Sequence, residues 1–316
     1  MKLLFRYVLG FFGVGLLALS GMARDWDEIA ASGVIHVGMR DLSSLARDSN
    51  SKEYPSFLYE MAEAFAAENG LRLEVHSVDS FAKYWTKEGE ILTQTGRVAT
   101  PDIYNAIDFA AEAFTVTSSR QKLVHLSPYI ENVELFFGTT DAPLREYKDL
   151  IGKRVLLYES MSFYPVLKAE LEARGIPYEI VYIHQKEDAV VMLTPHVDKK
   201  EKVNLYLFPA SETTDGKLVY HYIAKKFADV SINDSLGIIF RLFSNSYYTQ
   251  NLRPYFPVNA TRTELAWGSS HESRVLNEKI DAFIERYKNS GIFSRQLERY
   301  TGMSFGDYKA LVEMIE

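Results

Sequence analysis

Residues 108–138 read DFAAEAFTVTSSRQKLVHLSPYIENVELFFG, and the remainder of the chain is best understood around this stretch. The apolar residues at 109–114 predict a buried strand that leads into a polar turn. In that turn the hydroxyl residues Thr115 and Thr117 lie just before Arg120, whose guanidinium fork matches the geometry of a carboxylate. Most arginines are solvent-exposed, so Arg120 alone is weak evidence. Together with the hydroxyls, it predicts a site for a ligand carboxylate.

The first 23 residues have the pattern of a secretory signal peptide. Lys2 and Arg6 are followed by an apolar run at 7–19 and then by the small residues Ser20-Gly21-Met22-Ala23. This run is shorter than the roughly 20 residues that a bilayer span needs. We therefore predict cleavage after Ala23 and a periplasmic location. An uncleaved N-terminal anchor is the alternative.

Composition narrows the classes of partner. The 316 residues include no cysteine, which excludes disulfides and a lipid attached to an N-terminal Cys. Without Lys2 and Arg6 of the predicted signal peptide, 33 basic side chains face 42 acidic ones, a net charge of −9. Nucleic acid and anionic membrane surfaces are therefore not expected as partners. The length that remains after cleavage favours two domains.

Hydrophobic patterns predict a βαβ unit in each half of the mature chain. The predicted elements are strands at 33–39, 71–75, 155–158, 178–183, 203–208 and 236–240, and helices at 57–65 and 163–173. Strands linked in this way form parallel sheets, and ligands bind at the carboxyl ends of such strands. The sequence thus predicts two α/β lobes.

Three segments resemble the bacterial extracellular solute-binding proteins of family 3, the periplasmic receptors that deliver amino acids and similar solutes to ABC importers. The first combines Thr-x-Thr-x-x-Arg at 115–120 with Ser-Pro-Tyr at 127–129, where we place a turn. The others are Asp-Leu and Gly-Lys at 149–153 and the closing segment at 291–302. This resemblance implies an α/β fold of the type II periplasmic binding protein, in which two lobes, each a mainly parallel sheet flanked by helices, are joined by two hinge crossings.

The resemblance also implies which residues belong to each lobe and which bind the ligand. The implied division is lobe one at 24–137 with 264–316 and lobe two at 138–263, with crossings near Phe136-Phe137 and Leu265–Trp267. The implied ligand-binding residues are Thr115, Thr117, Arg120, Ser160 and Ser162. Arg120 would hold the ligand carboxylate, and closure of lobe two would cover it.

The chain departs from the family pattern at three places. Pro209 stands where family members that bind α-amino acids have the Asp that holds the ammonium group, although Ser211 and Glu212 follow closely. This departure argues against an ordinary α-amino acid as the ligand. Ser160-Met161-Ser162 replaces the Gly-Thr-Thr of the family, and the region from Tyr84 to Ile107 is longer and more polar than usual.

These observations favour a binding protein that is not an enzyme. We expect a monomer with no catalytic residue, cofactor or metal, since the seven histidines show no paired ligand spacing. Its partners would be a small solute and an ABC transporter permease or a membrane sensor.

The alternative is an enzyme on the same scaffold, as in cyclohexadienyl dehydratases, with Glu112, Glu159 or Glu212 as the acid. A lytic transglycosylase relative is a further alternative. Glu159-Ser160 resembles the Glu-Ser around the catalytic acid of those enzymes, and some of them carry a family 3 lobe.

Overall fold

The computed structural model describes residues 23–40, 54–85, 90–93, 96–99, 103–186, 189–210 and 215–314. The predicted signal peptide, except Ala23, lies outside these ranges, as do Ser211 and Glu212. Within the described ranges, no helix combines the length and the apolar character that a membrane crossing requires.

Helices and strands alternate along most of the chain. The strands are β1 Val34–Met39, β2 Arg72–Ser77, β3 Glu90–Thr93, β4 Gly96–Ala99, β5 Phe109–Thr115, β6 His125–Asn132, β7 Glu134–Thr139, β8 Arg154–Tyr158, β9 Tyr178–Lys186, β10 Ala189–Met192, β11 Val203–Phe208, β12 Val230–Asp234, β13 Leu252–Pro257 and β14 Thr263–Ser269. The helices are α1 Trp26–Ser32, α2 Tyr54–Glu68, α3 Ser118–Gln121, α4 Phe163–Ala173, α5 Gly216–Ala224, α6 Ser235–Ser244, α7 Ser246–Asn251, α8 Arg274–Asn289, α9 Ile292–Thr301 and α10 Phe305–Met314. Both predicted βαβ units are confirmed.

In the part of the chain that the structure describes, the strands form two larger sheets, one in each lobe, and a separate hairpin. The first sheet has the order β2-β1-β5-β14-β6, in which β1 pairs in parallel with β2 and β5 while β14 is antiparallel to both neighbours. The second has the order β10-β9-β11-β8-β12-β7-β13, with a parallel centre and antiparallel edges. Both sheets are therefore mixed, because β14 in the first sheet and β7 and β10 in the second run against the parallel strands. Strands β3 and β4 form the hairpin.

Within the described ranges, the chain passes between the lobes twice. Strand β6 of the first sheet ends at Asn132 and β7 of the second begins at Glu134, so the first passage is at Val133. The sequence predicted this crossing near Phe136-Phe137. These two residues instead belong to β7 and pair within the second sheet. The return passage lies between Pro257 of β13 and Thr263 of β14.

Two local predictions are wrong. The apolar run at 236–240 is helix α6, not a strand, and the strand of this region is β12, which ends at Asp234 just before it. A short apolar run cannot be assigned from periodicity alone when it is buried on several sides. Ser127-Pro128-Tyr129 is not a turn but lies inside β6. Proline is tolerated there because β6 is the edge strand of its sheet.

Helix α6 connects the two lobes through aromatic packing. It follows a strand of the second sheet, yet its Phe240 lies 5.1 Å from Phe57 of α2 and 5.8 Å from Tyr300 of α9, between ring centroids. All three rings are buried, and Phe57 and Tyr300 also pack edge to face. Edge-to-face packing adds to the stability that burial of the rings provides.

We predict that Phe240→Ala lowers the free energy of unfolding by about 3–5 kcal/mol, because it leaves a cavity among buried aromatic rings. Urea denaturation of the purified protein measures this change. Phe243→Ala on the same helix is the matched control. Because Phe243 is 45% exposed, this substitution should lower the free energy of unfolding by less than half as much as Phe240→Ala. Equal costs for both variants would contradict the packing described here.

Candidate functional site

A cavity of about 110 Å³ lies between the lobes, at the carboxyl ends of several strands. Strands β1, β5, β8 and β12 all end next to it, which is where parallel sheets bind ligands. Its lining combines apolar side chains with three arginines and two acids: Met39, Arg40, Leu58, Phe81, Glu112, Ala113, Thr115, Arg120, Met161, Ser162, Phe163, Gly216, Tyr220, Asn233, Asp234, Gly237 and Arg241. Residues from both lobes thus enclose one small space.

Arg120 is held at this cavity by the end of β5 and the short helix α3. The Thr117 hydroxyl caps the helix by accepting a hydrogen bond from the Arg120 backbone N–H at 3.3 Å. The guanidinium turns back and donates from Nη1 to the Thr115 carbonyl oxygen at 3.0 Å. As a result Arg120 is only 8% exposed although it lies in a connection between two strands.

The guanidinium of Arg120 has no carboxylate within ion-pair distance among the described residues, and no described group accepts a hydrogen bond from its Nε or Nη2. Burial lowers the pKa of Arg120 to about 10, so the side chain remains protonated at neutral pH. A buried cation with unused donors is costly unless an anion satisfies it. The geometry therefore favours an incoming carboxylate.

Aromatic rings from the region that precedes β3 form a wall against Arg120. The guanidinium carbon lies 4.3 Å from the centroid of Trp85 and 5.1 Å from that of Phe81. Both rings pack against Phe114 of β5, at 4.6 and 5.3 Å between centroids. Trp85, at the beginning of the long polar region at 84–107, thus contributes to the site by its cation–π contact with Arg120.

Two acids, Glu134 and Asp234, lie opposite each other on the neighbouring strands β7 and β12. The Ser162 hydroxyl donates to Glu134 at 3.3 Å, and the Asn132 amide donates to Asp234 at 2.6 Å. Burial raises the pKa of Glu134 to about 7. Burial and the Glu134 carboxylate raise the pKa of Asp234 to about 8. At neutral pH the pair therefore retains a proton that exposed acids would lose.

A second ion pair lies on the lobe-one side of the cavity. Arg40 follows β1 directly and donates from Nη2 to Glu112 of β5 at 3.1 Å, and its backbone N–H also donates to that carboxylate. The Tyr84 hydroxyl donates to Glu112 as well, at 3.4 Å. The carboxylate of Glu112 is thus paired with residues of its own lobe. The guanidinium of Arg120 has no such carboxylate partner among the described residues.

The structure brings together three of the five predicted ligand-binding residues. Thr115, Arg120 and Ser162 line the cavity, and the Ser162 and Thr115 hydroxyls meet across the lobes at 3.2 Å. Thr117 does not line it and acts as the helix cap. Ser160 does not line it either, since its hydroxyl is buried in the turn after β8.

Both lobes are in contact on two sides of the cavity. Besides the Ser162–Thr115 contact, the Ser80 hydroxyl of lobe one donates to the Ala210 carbonyl of lobe two at 3.2 Å. Ala210 follows Pro209, the residue that replaces the family Asp. The two lobes are thus joined by hydrogen bonds beside the cavity.

The candidate acids for an enzyme occupy different places. Glu159 lies just after β8 and accepts hydrogen bonds from the Ala210 backbone N–H at 3.0 Å and from the Tyr182 hydroxyl at 3.2 Å, outside the cavity lining. Glu112 lines the cavity, and Glu212 is outside the described residues.

The sequence did not indicate two residues that line the cavity, Arg40 and Asp234, or the acid Glu134 that lies opposite Asp234. Arg40 could have been found, because it follows the first predicted strand directly at its carboxyl end. Asp234 ends a strand in the same way, but the strand was misplaced by a few residues. Glu134 could not have been found, since its partner across the sheet is about a hundred residues away in sequence.

Comparison with solved structures identifies the fold as that of a two-lobed type II periplasmic binding protein. A substrate-binding protein of an ABC uptake transporter from Streptococcus pneumoniae, solved with bound histidine, has a TM-score of 0.61, 17% identity, and covers 89% of this chain and 97% of its own. A mutant of ArgBP from T. maritima gives a TM-score of 0.58, 16% identity, and coverage of 87% and 98%. The fold implied by the sequence resemblance is therefore confirmed.

Curated relatives point to a different class of protein. Membrane-bound lytic murein transglycosylase F of Ectopseudomonas mendocina is 26% identical over 312 residues, which is 94% of this chain and 53% of the relative. The protein of the same name from Desulfosudis oleivorans is 26% identical over 264 residues, 81% of this chain and 47% of the relative. The chain spans about half the length of the curated relatives it matches. No family model matches the chain.

These relatives correct one prediction from the sequence. We expected that the chain is not an enzyme, but the relatives that match most of its length share the name of an enzyme. The expectation is therefore contradicted. It rested on the binding-protein resemblance of the fold, and a fold does not by itself determine activity.

The acid pair predicts an unusual dependence of stability on pH. In the unfolded chain both acids titrate near pH 4, whereas in the folded protein their pKa values are about 7 and about 8. The folded state binds more protons between these values, so the stability that the neutral acids provide is lost as the pH rises through this window.

We expect the free energy of unfolding of the wild type, relative to that of Glu134→Gln, to fall from pH 5 to pH 8, by at most about 1.4 kcal/mol per pH unit. Urea denaturation at a series of pH values measures the difference. The exposed Glu146→Gln is the control and should leave the wild-type slope unchanged. Identical slopes for the wild type and Glu134→Gln would mean that the buried acid has an ordinary pKa.

Proposed function

We propose that this chain provides the solute-binding function of a murein-remodelling enzyme in the periplasm, by closing its two lobes over a small zwitterionic solute. The observation that carries the proposal is the buried guanidinium of Arg120, which faces a cavity between the lobes without a carboxylate partner among the described residues. Amino acids and short murein-derived peptides are solutes of the right charge.

The carboxylate of the solute pairs with Arg120. A bidentate pair with the free edge of the guanidinium gives charge-assisted hydrogen bonds, and the Ser162 and Thr115 hydroxyls lie close enough to add others. Such contacts form fully only when lobe two is in place, so ligand binding favours closure.

The ammonium group of the solute is held by Asp234 and Glu134. This assignment accounts for the departure at Pro209, because a bound ammonium group favours the ionised form of the acid pair at the hinge, and this form supplies the negative charge that the missing Asp would have provided. Asp234 lines the cavity, and Asn233 lies beside it. Apolar lining residues such as Leu58, Met161 and Phe163 then surround the remainder of the solute.

The link to murein comes from the curated relatives. Their shared name describes action on murein, and six of them match more than four fifths of this chain. A clamp that recognises wall-derived solutes would report on murein turnover. Delivery of an amino acid to an ABC importer is the second candidate, favoured by the solved structures of the same fold that hold histidine or arginine.

Arg120→Ala is expected to weaken solute binding by about 10- to 150-fold, because loss of a charge-assisted hydrogen bond costs about 1.5–3 kcal/mol. A thermal-shift screen of amino acids, dicarboxylates and murein peptides finds the solute, and calorimetry then measures its affinity. Arg145→Ala, which removes an exposed arginine, is the matched control and should bind normally. Undiminished binding by Arg120→Ala would exclude the assignment of the carboxylate site.

Asp234→Asn tests the ammonium site with a pair of ligands. Affinity for the solute should fall at least about tenfold, since the amide cannot ionise to pair with the ammonium group. Affinity for the analogue that lacks the amino group should stay within about twofold. If both ligands lose affinity equally in calorimetric titrations, Asp234 shapes the site and does not recognise the charge.

Murein peptides and free amino acids distinguish the two candidate functions. Tighter binding of a peptide that carries the wall cross-linking residues than of its constituent amino acids supports a role in murein turnover. Preference for one free amino acid over all peptides supports import instead. Competition titrations on the wild-type protein give this ranking directly.

A further inference from the structure

Two histidines and a glutamate meet on the outer part of the first sheet, away from the cavity. His36 Nδ1 lies 2.6 Å from His76 Nε2, and each of these nitrogens is 3.9 Å from Oε1 of Glu74. One potential metal-ligand atom from each residue lies within 4.8 Å of the other two. None of the three residues lines the cavity between the lobes.

The register of two adjacent strands produces this cluster. Strand β2 is the edge of the sheet and pairs in parallel with β1, so that Glu74 lies directly across from His36. His76 follows Glu74 by two residues and therefore projects from the same face. Forty residues separate the two histidines in the chain, which explains why spacing along the sequence gave no sign of them.

The environment keeps the imidazoles able to bind a cation. The 2.6 Å contact between Nδ1 of His36 and Nε2 of His76 requires one of these two nitrogens to accept a hydrogen bond, so that nitrogen has a lone pair. The backbone N–H of His36 donates to Asp108, whose charge is balanced by its ion pair with Arg24. Glu74 contributes the negative charge of the cluster and also pairs with Arg72.

We propose that His36, His76 and Glu74 form a binding site for a divalent cation of the zinc class, with solvent as the fourth ligand. Two imidazoles and one carboxylate are a ligand set that Zn²⁺ uses in sites with an open position. The three side chains are between about a quarter and two fifths exposed, so a cation can reach them.

Small rotations of the side chains bring the cluster to metal-binding distances. Zinc–nitrogen bonds of about 2.0–2.1 Å place two tetrahedral ligand atoms about 3.3 Å apart. The ring nitrogens must therefore separate by less than about 1 Å, and the Glu74 oxygen must approach by a similar amount. Imidazole nitrogens favour Zn²⁺, Co²⁺, Ni²⁺ and Cu²⁺ over Mg²⁺ and Ca²⁺, which prefer oxygen ligands.

Cobalt titration of the full chain, purified without a histidine tag, tests the proposal. Co²⁺ takes the place of Zn²⁺ and reports four-coordinate geometry by its visible absorption. We expect one Co²⁺ per chain, displaced by Zn²⁺ but not by Mg²⁺. His76→Gln and His36→Gln should each weaken binding by at least about tenfold, and Glu74→Gln should weaken it as well. His221→Gln, which changes an exposed histidine on α5, is the matched control and should bind normally.

Two results would overturn the proposal. One is the absence of saturable cobalt binding by the wild type. The other is equal cobalt affinity in the wild type and His76→Gln. Because His76 is the more exposed of the two rings, this variant tests the proposal even if His36→Gln does not fold. Asp234→Asn must retain cobalt binding, because a loss there would place the cation in the cavity between the lobes.

Discussion

The buried guanidinium of Arg120 is the constraint on which the site depends. Its Nη1 donor is used by the Thr115 carbonyl, its face is covered by Trp85 and Phe81, and its remaining edge faces the cavity. A cation that is 8% exposed and lacks an acidic partner within ion-pair distance among the described residues is an incomplete interaction. We propose that the carboxylate of an anionic ligand completes this interaction in the cavity.

The acid pair connects this site to the hinge and to the end of the chain. Asp234 accepts a hydrogen bond from Asn132, and the Asn132 amide oxygen accepts one from Ser235 at 3.0 Å. The Ser235 hydroxyl lies 2.9 Å from that of Tyr308 on α10, which donates to the Glu131 carbonyl oxygen. A change in the charge of Asp234 therefore acts on groups of both lobes at the first crossing. This is a physical route by which a bound ammonium group can influence closure.

Local patterns predicted the fold because both βαβ units consist of strands and helices with clear periodicity, as in β1, α2 and β2. They failed at α6, where the apolar run is short and is buried by α2 and α9, elements distant in sequence. Arg120 was predictable because its cap and its hydroxyl neighbours are adjacent to it in the chain. Glu134 with Asp234, and His36 with His76, were not, since strand pairing alone brings them together.

The solved structures of the same fold suggest solute binding, whereas the curated relatives suggest an enzyme that acts on murein. Structures of the same fold hold amino acids, while the curated relatives are named as murein enzymes and are about twice as long as this chain. Recognition of a small charged solute is compatible with both. Fold likeness below 20% identity establishes architecture, so the chemistry of Arg120 and the acid pair carries the functional argument.

A crystal structure of the chain with the solute found by screening tests the central claim most directly. The account predicts the solute carboxylate within hydrogen-bond distance of Nη2 or Nε of Arg120, with both lobes in contact around it. A carboxylate bound elsewhere, with Arg120 still facing only Thr115 and the aromatic rings, would contradict the account.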